Sequence, residues 1–521
     1  FWASDPDAPA LAGRVTAVRG DVSRPNLGLS ADDHAALVRE VTHVVHAAGD
    51  VKLNKPLAEA RASAVDSVRH AVAFARDPLG TLVALGAFAR SRGVEVARMH
   101  SMGRTFAIVT HPDLAREVLV TQQKRFARGY AHRGLRVLLG DGLLTSEGEH
   151  HRRQRRLAQP AFHRERIAAY ARAMVEHAAA WDARWAARAG RDARATVPLH
   201  AEMTALTLGI AGETLFGARV DNAAETVARA VSEVSAVAPI VFLPFGRQLL
   251  RLPFPVARRS REALVRLDRV VYGIIAERRA ARAAGTPEGD DLLGMLLDAT
   301  DPEDPAATPM SDVQLRDEVM TLFLAGHETT AAALTWTWIL LAAHPEATAA
   351  LHAELDAVLG PPGPAARRPT MEDVPRLPYT RRVLAESLRL RPPAYAVGRI
   401  ATERTTLGGH RVEPGWGVIT SPWICQHDAR WWPEPERFLP ERWADDDAAR
   451  PKLAYFPFGA GPRLCIGEQF AWTEAILVLA TLARRWAPAL VPGEPAPTPR
   501  GAITLRPGGG VRLALARRGG A

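Results

Sequence analysis

The stretch that most restricts what this chain can become is 456–470, FPFGAGPRLCIGEQF, which runs straight into an apolar helical pattern. Phe458, Gly461, Arg463, Cys465 and Gly467 stand there in a Phe-x-x-Gly-x-Arg-x-Cys-x-Gly frame. Cys465 falls just before a predicted helix N-terminus, where aligned amide dipoles favour a thiolate and are expected to lower its pKa. Gly461 and Gly467 are expected to let the backbone approach a flat cofactor and aim N–H groups at sulfur. A lone cysteine is usually a buried structural thiol. Five framed positions favour a metal ligand instead.

Composition leaves room for this. The chain has 521 residues, 47% hydrophobic and 24% charged, a globular balance that excludes disorder, collagen and coiled coil. Its two cysteines, Cys425 and Cys465, are not in a paired spacing, so a secreted disulfide scaffold is excluded and a reducing cytoplasm fits. Cys425 is expected to be an inert core thiol. Net charge is +9, but only Lys52, Lys55, Lys124 and Lys452 are lysines, and the arginines are interspersed with acids. No zinc-ligand spacing or aromatic-interleaved basic strand accompanies them, which disfavours nucleic acid. An acidic protein partner or an anionic cofactor uses such charge equally well. The apolar run 321–344 carries His327 and Glu328 near its middle, so it reads as a buried helix and not as a membrane span. The chain opens at Phe1 without Met, as a fragment or processed form would.

Texture changes near Asp77. Before it, 14–23 and 41–49 look like strands, and 31–40 and 57–75 look helical, an α/β pattern. After it, helices are predicted over 112–120, 150–188, 200–216, 221–236, 260–283, 311–343, 345–358, 379–390 and 468–486. Short strands are predicted over 94–98, 105–109, 396–401, 410–421 and 502–515. The larger part is thus mainly α with a minor β region.

Three further patterns carry chemistry. In Ala325-Gly326-His327-Glu328-Thr329-Thr330, inside the apolar helix, Gly326 leaves room and the Thr329 hydroxyl can divert a backbone bond. A buried Glu328 is costly unless it has a task, which suggests proton transfer. Glu386 and Arg389 share a helical face at i,i+3, and Arg442 follows in Phe438-x-Pro440-x-Arg442-Trp443. His151 and Arg155 share a face at i,i+4.

In order and spacing these motifs resemble the cytochrome P450 family, haem-thiolate monooxygenases, from about Asp77 to the C-terminus. The resemblance implies a mostly helical prism with a small β region over 77–521, and haem b with Cys465 as iron ligand. It implies Glu328 and Thr329 as a proton relay, and Gly326 and Phe458 beside the cofactor. His151, Arg155 and Arg399 would serve the propionates, Arg463 would also bind the cofactor, and Glu386, Arg389 and Arg442 would support the fold. Pro435-Glu436-Arg437-Phe438 matches the last motif as a string but stands one motif too early. The stretch Gln426-His427-Asp428 departs from the family's His-Arg-Asp. Electrons would come from a ferredoxin and its reductase at a basic face including Arg152, Arg156 and Arg463. The substrate would be an apolar fatty acid, terpenoid or polyketide, bordered by 131–144, 235–245, Phe323, Ala325 and Ala394 to Val397. The alternatives are a peroxide-driven peroxygenase and a non-catalytic haem sensor.

Residues 1–76 resemble instead an internal slice of an extended short-chain dehydrogenase of the thioester-reductase kind, in RVTAVRGDVS and VVHAAGDVKLNKPL. The slice has neither a G-x-G-x-x-G loop nor Tyr-x-x-x-Lys, since the first tyrosine is Tyr130. It is expected to be non-catalytic; a bifunctional dehydrogenase–oxygenase would require it to bind nicotinamide.

Overall fold

The computed structural model describes residues 77–519, apart from 102–103, 218–253 (except 230, 233 and 252), 286–290, 300–308 (except 303), 364–365 and 446–448. The expected strands and helices before Asp77, the helix 221–236 apart from Ala230 and Glu233, and the pocket segment 235–245 lie outside the described residues. The chain divides into two units, 1–72 with 100–105 and 73–99 with 106–521; apart from the end of β1 and the start of β2, the architecture below is that of the second.

Its helices are α1 (Pro78–Ser91), α2 (Pro112–Arg116), α3 (Tyr130–Leu139), α4 (Gly148–Ala158), α5 (Arg164–Ala189), α6 (Leu199–Phe216) and α7 (Pro255–Ala283). They continue with α8 (Leu292–Asp298), α9 (Asp312–Ala343), α10 (Pro345–Leu359), α11 (Pro378–Leu390), α12 (Pro422–Gln426) and α13 (Glu468–Ala483). Strands are β1 (Val96–Ser101), β2 (Arg104–Val109), β3 (Phe126–Arg128), β4 (Arg194–Pro198), β5 (Val397–Ala401) and β6 (Thr405–Leu407). The rest are β7 (His410–Val412), β8 (Gly417–Thr420), β9 (Trp486–Leu490), β10 (Pro499–Gly501), β11 (Leu505–Pro507) and β12 (Arg512–Arg517). The expected mainly α fold with a minor β region is what forms.

The organising element is α9. Ser311 starts it with a capping box: its hydroxyl accepts from Gln314 N at 3.3 Å, and Gln314 Oε1 accepts from Ser311 N at 3.0 Å. Its 32 residues run about 48 Å, apolar on most sides, as a helix through the middle of a core must be. It packs on α6 along one side, while α13, buried nearly all round, runs along α5.

The main sheet has the order β1-β2-β8-β5-β3. Strands β2 and β8 are parallel, whereas β5 pairs antiparallel with both β8 and β3. The β3–β5 register sets Arg128 directly opposite Arg399. A second sheet has the order β4-β12-β9, and β10–β11 is a hairpin.

Three predicted segments break where backbone chemistry demands it. The helix expected over 150–188 stops at Ala158 and resumes at Arg164, because Pro160 lacks an N–H and the chain takes a tight 3₁₀ turn followed by extended His163. The strand expected over 410–421 divides into β7 and β8 around Gly415, whose φ is +83°. The helix expected to 486 ends at Ala483, and Trp486 enters β9.

Candidate active site

Cys465 lies on the loop that leads into α13. Its sulfur is accessible on an internal wall although protein surrounds it on every side. Burial therefore pushes the thiol up to about 11, against the pull of the Gly467 N–H and Arg155. This corrects the expectation that the helix N-terminus alone would lower it. Desolvation wins, and only a bound cation would deprotonate the sulfur outright. Gly461 takes φ +70°, and a Cβ there would stand 2.0 Å from the Leu119 carbonyl oxygen, so it is needed for loop packing. Gly467 has φ −89°, and a Cβ there would meet only Phe162, at 3.7 Å. Phe458 packs against Trp472, ring centroids 5.9 Å apart.

Beside this loop, cations gather. Arg155, on α4, donates to Leu464 O at 2.8 Å, next to the cysteine. Arg463 donates to Ser146 O and to Glu147 Oε2, each at 2.8 Å. Arg399 is buried and pushed down to about 10 by desolvation and then by Arg463, with Glu147 opposing. Arg128, also buried, falls well below its ordinary value through burial and then Arg463 and Arg399. Two arginines facing each other across β3 and β5 repel. Arg128 Nε and His132 Nδ1 are buried without a partner. His151 is buried and pushed down to about 3, by desolvation and then by Arg463 and Arg128, so it is neutral. Among the described residues, Glu147 is the carboxylate that opposes Arg128, Arg399 and Arg463. The cluster demands further anions.

Sequence reasoning found His151, Arg155, Arg399 and Arg463 but missed Arg128, His132 and Glu147. Arg128 joins only through strand register, which the sequence does not display, and Glu147 looks like a lone acid ahead of a basic helix.

On α9, an unbroken helix, exposure changes along one turn. Ala325 is exposed and Gly326 and Thr329 are half-buried, while His327, Glu328 and Thr330 are buried. A Cβ on Gly326 would meet only Leu215 Cδ1, at 3.8 Å. Thr329 Oγ1 donates to Ala325 O at 2.8 Å, the same back-bond to the i−4 carbonyl that Thr330, Thr335 and Thr337 make. Glu328, one residue away and therefore turned about 100° around the helix, points elsewhere. Its Oε1 accepts from Arg506 Nε at 3.0 Å and from the Thr504 hydroxyl, both in or beside the β10–β11 hairpin. Burial would raise this carboxyl, but Arg506 and the hydrogen bonds from Thr504 and Arg506 outweigh it and hold it below its usual range. Glu328 is thus ionised and clasped, a partner set that its motif did not reveal.

Other expectations resolve by placement. Glu386 accepts from Arg389 twice and from Arg442 Nε, each at 2.9 Å, and Arg437 instead pairs with Glu434 at the surface. Gln426, in the stretch that departs from the family, binds Leu388 O and Arg389 O and accepts from Phe456 N at 3.1 Å. Cys425 is fully buried, its thiol pushed up to about 12. Phe323 is buried against Phe216, and Tyr395 turns inward to donate to Ala502 O at 2.9 Å, while Ala394 is exposed. Arg463 is drawn inward at 15% side-chain exposure, whereas Arg152 and Arg156 keep outward positions beside Glu149 and Glu303.

Residues 89–511 match the family model described as Cytochrome P450. The chain belongs to the cytochrome P450 family. It is 39% identical over 449 residues to "Cyclooctatin synthase" of Streptomyces melanosporofaciens, covering 84% of this chain and 92% of the relative. It is 38% identical to "Cyclooctat-9-en-7-ol 5-monooxygenase" of the same organism, covering 81% and 88%. "Pentalenene oxygenase" of Streptomyces avermitilis is 34% identical, with 81% and 89% covered. Residues 2–130 match a second model, Male sterility protein, in keeping with the resemblance of the first 76 residues. This P450 is an oxidoreductase that incorporates molecular oxygen, its cofactor is haem b, and P450 monooxygenases draw electrons from redox partners and bind apolar substrates. The residues present fit haem b: a wall-lining thiol stands beside arginines whose mutual repulsion two carboxylates would relieve. No helix among the described residues is long and apolar enough to cross a membrane.

Proposed function

We propose that this P450 inserts one oxygen atom into an apolar substrate of the terpenoid class, in the cytoplasm, with electrons from a ferredoxin and its reductase. The relatives named for cyclooctat-9-en-7-ol and pentalenene support that class. The observation that carries the site reading is the anion-seeking cluster of Arg128, Arg155, Arg399 and Arg463 next to Cys465. Bound haem b supplies the iron that takes dioxygen, and a thiolate ligand favours O–O cleavage.

The chain's own groups divide the remaining work. Cys465 would hold the iron, on the loop where Phe458 packs against Trp472. Arg155, Arg399 and Arg463, with Arg128 and His132, would hold the two propionates, and neutral His151 lies among them. Gly326 keeps one side of α9 clear, and Thr329 presents a hydroxyl proton there. To recharge that hydroxyl, Glu328 would have to leave Arg506, itself at 27% side-chain exposure, and take up a proton from solvent. Arg152 and Arg156 face the electron donor. Residues 1–76 form a separate, non-catalytic segment ahead of a haem domain over 77–521.

The deciding experiment follows the haem spin state during titration with a panel of terpenoids, fatty acids and polyketides, then tests turnover of the binders with ferredoxin, reductase and NAD(P)H. Terpenoid binding with oxygenated product supports the reading. Turnover with hydrogen peroxide but not with reduced ferredoxin would replace it with a peroxygenase.

A further inference from the structure

Three consecutive side chains of α9 grip the turn between α3 and α4. Arg316 donates to Leu138 O at 3.3 Å and is itself held by Asp268 of α7 and by Asp317. Asp317 Oδ2 accepts from Asp141 N at 2.8 Å. Glu318 Oε2 accepts from Leu143 N at 3.0 Å. Two glycines permit the contact. A Cβ on Gly142 would lie 2.4 Å from both Asp317 O and Thr321 Oγ1, and one on Gly140, at φ +64°, would lie 2.0 Å from the Asp317 carboxylate. Leu143 is buried by this grip, and Leu144 packs against the core.

Glu318 is the unusual member. It is fully buried, its second oxygen has no partner, and neither has Thr321 Oγ1 one turn on. The charges facing it from the neighbouring elements are already committed: Arg316 to Asp268 and Asp317, and Arg136 of α3 to Asp141, while His150 of α4 lies against Asp141 O. Four carboxylates would face two guanidiniums if Glu318 ionised. Burial, only partly offset by the Leu143 N–H and reinforced by Asp317 and Asp141, pushes it up to about 8.

We propose that Glu318 is a positioning residue that fixes the Leu143–Leu144 wall of the substrate cavity as a neutral acid, and that its ionisation favours release of the 140–144 turn from α9. The proposal rests on the reading of this turn as pocket lining. Linkage fixes the sign. A carboxyl near its ordinary 4.5 when the turn is open and near 8 when it is closed binds more protons closed. Closure is therefore strongest below about pH 4.5, is lost as pH rises towards 8, and changes little above that.

The test is hydrogen exchange of the Leu143 amide in the full haem-loaded chain, corrected for intrinsic exchange, from pH 5 to 9. The opening constant should rise by up to about tenfold per pH unit to pH 8 and then level off, and Glu318→Gln should abolish the slope while keeping protection. A second arm measures 4-phenylimidazole binding at pH 6 from the haem spectrum. Glu318→Leu, which lacks an acceptor, should bind about tenfold more weakly, and Glu318→Gln within about twofold of the parent. Equal slopes in the parent and Glu318→Gln, or parental affinity in Glu318→Leu, would overturn the proposal. A normal 4-phenylimidazole spectrum in the parent alongside either result counts against the Glu318 role alone and leaves the haem-thiolate reading standing.

Discussion

Cys465 and Cys425 carry the same side chain in opposite settings, one on an internal wall beside arginines and one sealed in the core. Reduced protein with carbon monoxide should show the strongly red-shifted band of a thiolate-ligated haem. Cys465→Ser should lose it and Cys425→Ser keep it; the reverse pattern would refute the assignment. On α9, Thr329→Ala should keep the substrate-induced spin shift while NAD(P)H consumption continues and hydrogen peroxide replaces product. Glu328→Gln should slow turnover, on the order of a hundredfold in the chemical step, with a larger solvent isotope effect. An unchanged peroxide-to-product ratio in Thr329→Ala would place the proton donor elsewhere. Both residues were legible as a motif. Which way each points was not, because the Arg506 that clasps Glu328 lies 178 positions away in sequence.

At the scale of elements, α11 shows how far spacing can be read. Glu386 and Arg389 share a face by helix geometry, and both are fully buried, so their pairing is a core contact. Trp443 Nε1 and Leu439 N also donate to Glu386, at 2.9 and 3.0 Å. Arg389 reaches the carbonyls of Gln426, Pro435 and Arg437, which ties α11 to the segments leading towards the cysteine loop. Glu386→Ala would strand two guanidiniums and should cost about 3–5 kcal/mol of stability together with haem content. Denaturant unfolding and the haem-to-protein ratio check this; parental values for both would assign the network no supporting role. Long helices such as α9 and α11 were visible from periodicity. The break at Pro160 and the division at Gly415 were hidden inside continuous patterns, and strand register, which makes neighbours of Arg128 and Arg399, has no local signature.

At the scale of the whole molecule, the two family matches overlap over residues 89–130. Removing residues 1–76 should leave haem content and turnover largely intact, because that stretch lacks a phosphate loop and a catalytic tyrosine. Saturable NADPH binding that vanishes with the deletion would refute this. The facing arginines of β3 and β5 have a consequence for assembly. In the haem-free chain that strand pair stores electrostatic tension in a buried place, so the last step of maturation is a charge neutralisation as much as a docking. Haem-free protein should therefore melt at higher temperature in phosphate than in chloride of equal ionic strength, and Arg128→Gln should reduce that gain. Cofactor capture would then be drawn by relief within the protein itself: the paired strands would be most stable with carboxylates beside their facing arginines.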